Sequence, residues 1–224
     1  MYTVHHALPP RCTADYLHVY ACLMKHLSRV WTVLLFLAGL VWVSPVVADE
    51  PASTWIGKQT VGVVVGGMLP VRLADGQSSK LNGVAVHPSW QIVLTDPIGD
   101  GWWSGSVAFG VEAALLGITE PTSAYGVGVT PKAVYTLASF GRLKPYVEGG
   151  GGPIWTNFDG RIPEQGSNFN FLVWGGAGAT YDLTARWALN AGVRFSHISN
   201  ADTDSPNRGL NYLLPFVGFS SKLF

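Results

Sequence analysis

The sequence predicts an all-β fold: an eight-stranded antiparallel transmembrane β-barrel of the outer-membrane kind. Three observations carry this expectation. The chain of 224 residues is 48% hydrophobic yet only 12% charged, against about 25% in an ordinary soluble domain, and it holds 27 Gly and 9 Trp. From Lys58 onward apolar residues recur with period 2, the strand signature, and no run reaches 18 apolar residues. The single helix-like apolar run lies near the N-terminus, where it reads as an address rather than as structure.

That address begins at Met24-Lys25-His26-Leu27-Ser28-Arg29, a basic stretch followed by the apolar core Trp31 to Val43 and then Ser44-Pro45-Val46-Val47-Ala48. A core of 13 residues is too short for the ~20 a spanning helix needs, and the small-residue site Val46-x-Ala48 predicts cleavage before Asp49. Residues 1–48 are therefore expected to be an N-terminal extension plus a cleaved signal peptide, with Met24 as an alternative start, and residues 49–224 a single barrel domain. Cys12 and Cys22 leave with the leader, so the expected mature chain has neither disulfide framework nor thiolate site. It keeps 11 basic and 13 acidic residues, a net of −2, which offers no basic footprint for nucleic acid.

Eight segments follow in order: 58–68, 83–96, 101–117, 124–136, 143–157, 168–182, 185–200 and 211–224. The seventh is the clearest. Trp187, Leu189, Ala191, Val193 and Phe195 alternate with Arg186, Asn190, Gly192, Arg194 and Ser196, so one face is apolar and the other small or polar. The third sets Val107, Phe109, Val111, Ala113 and Leu115 against Ser104, Ser106, Gly110 and Glu112, and the fourth and sixth repeat the split. Each segment can cross a bilayer at a tilt, which takes about 9–11 residues, and their number is even. Backbone groups in hydrocarbon find no water, so such a sheet must close on itself.

The connections are expected to alternate: short at 97–100, 137–142 and 183–184, longer at 69–82, 158–167 and 201–210, with 118–123 the one external loop that is not clearly longer. In an eight-stranded barrel side chains fill the lumen, and Glu112, Lys132, Glu148 and Arg194 all fall on the inward register, where they can neutralise one another. A soluble barrel of lipocalin type would invert the register and carry many outward Lys and Glu, which these strand faces lack. The run Gly149 to Gly152 sits inside a strand, where it permits close packing or curvature, and no nucleotide, metal or other cofactor motif is present.

Beyond the leader only two histidines remain. His87, in Val86-His87-Pro88-Ser89, has no acid or cysteine at ligand spacing and reads as an ordinary strand histidine. His197 opens His197-Ile198-Ser199-Asn200-Ala201-Asp202, and period-2 spacing sets His197 and Ser199 on the apolar face that Phe195 and Val193 occupy. Two polar side chains ending a lipid-facing stripe are costly unless they have a task. With periplasmic termini the seventh segment runs outward, so the pair lies level with the outer leaflet. A serine nucleophile beside a histidine base suits acyl transfer from a lipid ester, with Asn200 a candidate oxyanion donor, its backbone N–H more safely than its side chain.

Phe195 to Asn211 (FSHISNADTDSPNRGLN) resembles the signature of the PagL family of lipid A 3-O-deacylases, and Pro145 to Gly151 and Asp182 to Leu189 are similar to its strands five to seven. The resemblance runs over roughly residues 125 to 224. It implies an outer-membrane barrel that removes the acyl chain ester-linked at position 3 of lipid A, the membrane anchor of lipopolysaccharide, without a cofactor. It implies His197 as base, Ser199 as nucleophile and Asn200 as oxyanion donor. Where the family carries a glutamate that orients the histidine, this chain has Asn211, which can accept the imidazole N–H but cannot stabilise its cation. By the serine-protease analogy about 10⁴-fold in rate is at stake. Asp202 or Asp204 is the alternative acid. A non-catalytic structural or adhesive barrel and a soluble periplasmic lipid binder stand as the other readings, and a homodimer stays open.

Overall fold

The computed structural model describes residues 55–71, 81–138 and 140–223. The expected leader, residues 1–48, lies outside them. Eight strands form in chain order: β1 (Gln59–Pro70), β2 (Asn82–Val93), β3 (Gly105–Glu120), β4 (Ala124–Leu137), β5 (Leu143–Thr156), β6 (Phe169–Asp182), β7 (Trp187–Ser199) and β8 (Leu210–Leu223). Every neighbouring pair is antiparallel, and β1 pairs with β8 from Gln59↔Leu223 to Pro70↔Tyr212, which closes the barrel. Closure satisfies the two edges that would otherwise present unpaired N–H and C=O groups to hydrocarbon, at several kcal/mol each.

The pleat sends the predicted stripes outward. Val63, Val111, Val129, Val147, Val173, Val193 and Val217 are all exposed, Val217 by 67%. Charged and polar side chains instead occupy the middle of the lumen. Arg194 lies at its centre, 2% exposed. Its Nη1 and Nη2 donate to the two carboxylate oxygens of Glu112 at 2.8 and 3.0 Å, and its Nε and Nη2 donate to those of Glu148 at 2.8 and 3.2 Å. Lys132 Nζ stands 3.7 Å from Glu112 Oε2. The indole of Trp174 lies 3.9 Å from the Arg194 guanidinium carbon. It has room there because Gly150 is bare: a Cβ on Gly150 would stand 2.8 Å from the Trp174 ring. The expected charge network thus forms, and His87 joins it, with Nδ1 3.1 Å from Glu112 Oε1.

Above this network, in the half of the barrel away from the chain ends, an apolar cluster packs the lumen alongside buried Thr156, Asn170 and Asn200. Met68, Leu116, Ile154, Leu172, Ile198 and Leu214 pack there, and Phe158 and Ile162 fold in from the connection after β5. At the other end Asp182 pairs with Lys144 at 2.6 Å and Lys222 at 2.9 Å, tying the ends of β5, β6 and β8 together.

Two connections depart most from the expected lengths. The turn between β2 and β3 runs from 94 to 104 rather than 97–100, although the hairpin keeps pairing loosely past its strands: Leu94 N–H donates to Val107 O at 2.8 Å, and Ile98 and Gly105 exchange bonds at 2.8 and 3.1 Å. Pro97 cannot donate into a ladder, and a 3-10 turn at Gly101–Trp103 completes the reversal. Correspondingly β3 starts at Gly105 and reaches Glu120, so the external connection 118–123 contracts to 121–123. Short turns and long loops therefore do not alternate strictly, and the external turn after β3 is shorter than the turn before it.

Candidate functional site

β7 ends at Ser199 on the end of the barrel opposite the start of β1 and the finish of β8. The strand period puts Val193, Phe195, His197 and Ser199 on the outward face, while Arg194, Ser196 and Ile198 point into the packed lumen. Exposure falls along that outward row: Val193 is 44% exposed, whereas His197 and Ser199 are half-buried. The polar pair is therefore recessed among its neighbours.

Those neighbours come from the two adjacent strands. On β6, Val173 is opposite His197 and Phe171 is opposite Ser199. Phe171 packs edge-on against Phe169 at 5.3 Å between ring centroids, and Phe169 against Trp155 at 6.4 Å, an aromatic wall beside the serine. On β8, Asn211 is opposite His197 and Leu213 opposite Phe195. Asn211 Oδ1 lies 2.8 Å from His197 Nδ1. An amide oxygen only accepts, so Nδ1 carries a proton, and in the neutral ring Nε2 is then the nitrogen with the lone pair. An imidazole held in this tautomer has its basic nitrogen available, and Ser199 is the hydroxyl two residues along the same face.

The loop from 200 to 209 holds the other residues singled out from the sequence. Asn200 turns inward and is fully buried. Its side-chain Nδ2 donates to Asp204 O at 3.0 Å, and its backbone N–H donates to Asn207 Oδ1 at 3.1 Å, so both of its donors are engaged within the loop. Asp202 is exposed and its Oδ1 accepts from Asn207 Nδ2 at 2.8 Å. Asp204 is exposed as well, with Oδ1 accepting the N–H of Ser205 at 2.7 Å. Neither aspartate is hydrogen-bonded to His197, whose partner is Asn211. The structure thus joins His197 to Asn211, sets Ser199 two residues along the same face, and leaves the alternative acids in the loop.

Asn207 is the residue sequence reasoning passed over. Its amide bridges the Asn200 N–H and the Asp202 carboxylate, and its backbone pairs with Gln165 across the neighbouring loop. Nothing in Pro206-Asn207-Arg208 marks that role, because it depends on how two loops meet. Among the described residues no three His, Cys, Asp or Glu side chains are grouped to hold a metal ion.

The family model described as "Lipid A 3-O-deacylase (PagL)" matches residues 79–220. Among solved structures, the crystal structure of the outer membrane enzyme PagL is similar at a TM-score of 0.52 and 24% identity, covering 71% of this chain and 97% of that one. Neisserial surface protein A (NspA) is similar at a TM-score of 0.53 and 16% identity, covering 75% and 97%. At these identities the two structures speak for the barrel fold alone. No curated protein matches the chain.

Proposed function

Because this chain belongs to the PagL family of lipid A 3-O-deacylases, an outer-membrane barrel by fold and kinship, we propose that it is a serine esterase that removes the acyl chain ester-linked at position 3 of lipid A. The observation that carries the reading is the His197 Nδ1 to Asn211 Oδ1 contact of 2.8 Å, with Ser199 on the same recessed, lipid-facing row.

The chemistry runs in two halves. Ser199 Oγ attacks the ester carbonyl as His197 Nε2 takes its proton, giving a tetrahedral oxyanion. Collapse breaks the ester C–O bond, the imidazolium returns the proton to the departing sugar hydroxyl, and the acyl group remains on Ser199. A water then attacks the acyl-serine while His197 again accepts a proton, and the fatty acid leaves with Ser199 restored. Asn211 holds the tautomer throughout. The Asn200 backbone N–H adjoins Ser199 and is the carried-over oxyanion donor, which requires it to exchange Asn207 Oδ1 for the oxyanion. The aromatic wall of Phe171, Phe169 and Trp155 supports an acyl chain lying along the barrel.

Mass spectrometry of lipid A from cells expressing the wild type and Ser199→Ala tests this. Loss of one hydroxyacyl chain with wild type, absent with Ser199→Ala, is the expected outcome; intact lipid A in both sinks the proposal. A second reading, a non-catalytic barrel, draws on two features: an amide rather than a carboxylate at Asn211, and an Asn200 N–H already satisfied within its loop.

A further inference from the structure

Asn211 is not the sole contact that fixes the His197 ring. Gly209, the last residue before β8, is buried and has a left-handed backbone with φ +66°. A Cβ built on it would stand 2.6 Å from His197 Cε1, 3.4 Å from Nε2 and 3.5 Å from Nδ1. Carbon atoms do not approach to 2.6 Å without a bond, so the ring rests against a backbone that carries no side chain. The distances to the two nitrogens are nearly equal, which places the contact at the Cε1 corner between them. Successive corners of the imidazole are thereby held, Nδ1 by Asn211 and Cε1 by Gly209, and Nε2 is the corner left for a substrate or for Ser199.

We propose that Gly209 is a positioning residue for His197: the space left by its missing side chain is what lets the imidazole sit on Asn211 with Nε2 directed to the reaction. Any Cβ at this position displaces the ring, breaks or lengthens the Nδ1–H bond to Asn211, and moves Nε2 from its place. The catalytic part of this inference rests on the esterase reading above, whereas the structural part does not.

A rival explanation is that Gly209 serves only its left-handed backbone, and a second glycine separates the two. Gly160, in the loop before β6, has φ +68° and nothing within 4 Å of a built Cβ. Gly160→Ala therefore imposes the same backbone strain without a ring contact. The experiment compares wild type, Gly209→Ala, Gly209→Asn and Gly160→Ala as refolded barrels in micelles. Asparagine tolerates the left-handed region and keeps the test alive if alanine hinders folding. Two readouts are taken: imidazole resonances of histidine-labelled protein, assigned with His197→Gln, and the initial rate of fatty-acid release from purified lipid A.

Both Gly209 variants are expected to move the His197 ring signals and lower kcat about 100-fold with KM nearly unchanged, as a misplacement of about 1 Å does. Gly160→Ala is expected to match wild type in both. Wild-type ring signals in the Gly209 variants, or equal changes in Gly160→Ala, overturn the proposal. If wild type releases no fatty acid, the esterase reading falls and the ring signals alone decide the role of Gly209.

Discussion

Asn211→Asp is the most informative single change, because it keeps an oxygen where the amide oxygen lies, 2.8 Å from His197 Nδ1, and exchanges a neutral acceptor for a charged one. In the proposed mechanism the His197 ring becomes a cation on taking the Ser199 proton, and a carboxylate stabilises that form where an amide does not. Two unit charges about 4 Å apart attract by about 4 kcal/mol at an effective dielectric constant of about 20. His197 and Asn211 are both only half-buried, so roughly half of this, about 2 kcal/mol, should survive screening. That corresponds to a kcat about thirtyfold above wild type, with the serine-protease analogy setting a ceiling near 10⁴-fold. Initial rates of hydroxy fatty acid release from lipid A in mixed micelles measure it, alongside heat-modifiable gel migration to show that each barrel is closed. Asn211→Glu, which restores the family's residue type, should rise in the same direction. An unchanged or lower rate in both variants, with intact barrels, would refute the assignment of Asn211 as the orienting partner of a catalytic imidazole.

Three further outcomes follow from the same structure. Arg194→Met should destabilise the barrel by about 3–5 kcal/mol in urea titrations, because Glu112 and Glu148 are left buried without their shared cation, and adding Glu112→Gln with Glu148→Gln should recover part of the loss. Val217→Arg, midway along β8 on the outward face, should cost about 2–4 kcal/mol when folding is measured into bilayers, whereas an outward position of a water-soluble barrel would absorb it with little effect. Asn207→Ala removes the bridge between the Asn200 N–H and Asp202, so the loop 200–209 should be nicked by protease much faster than in wild type while the barrel core resists; equal nicking rates would argue against Asn207 as its organiser.

The barrel was legible in the residues because period 2 is a local property. Trp187, Leu189 and Val193 alternate with Asn190 and Arg194 whatever their partners, and once lipid is named as the outer solvent, their direction follows. The inward register of Glu112, Lys132, Glu148 and Arg194 was readable for the same reason. The extent of β3 was not, since whether Ile98 pairs with Gly105 depends on the hairpin rather than on either residue. His87 was underread too: its spacing to any acid in sequence says nothing of Glu112, which comes from the adjoining strand and meets it in the lumen.

For the site, His197 and Ser199 were found from one strand alone, as two polar side chains on an apolar row. Sequence by itself thus determined the strand pattern, the lipid-facing register and the candidate nucleophile and base, all of which depend on neighbours one or two residues apart. Tertiary structure alone decided which residue holds the His197 ring, where the donors of Asn200 point, and that Gly209 abuts the imidazole. Those contacts join β7 to β8 and one loop to another, and their geometry is set by the register of a closed sheet, which no single segment contains.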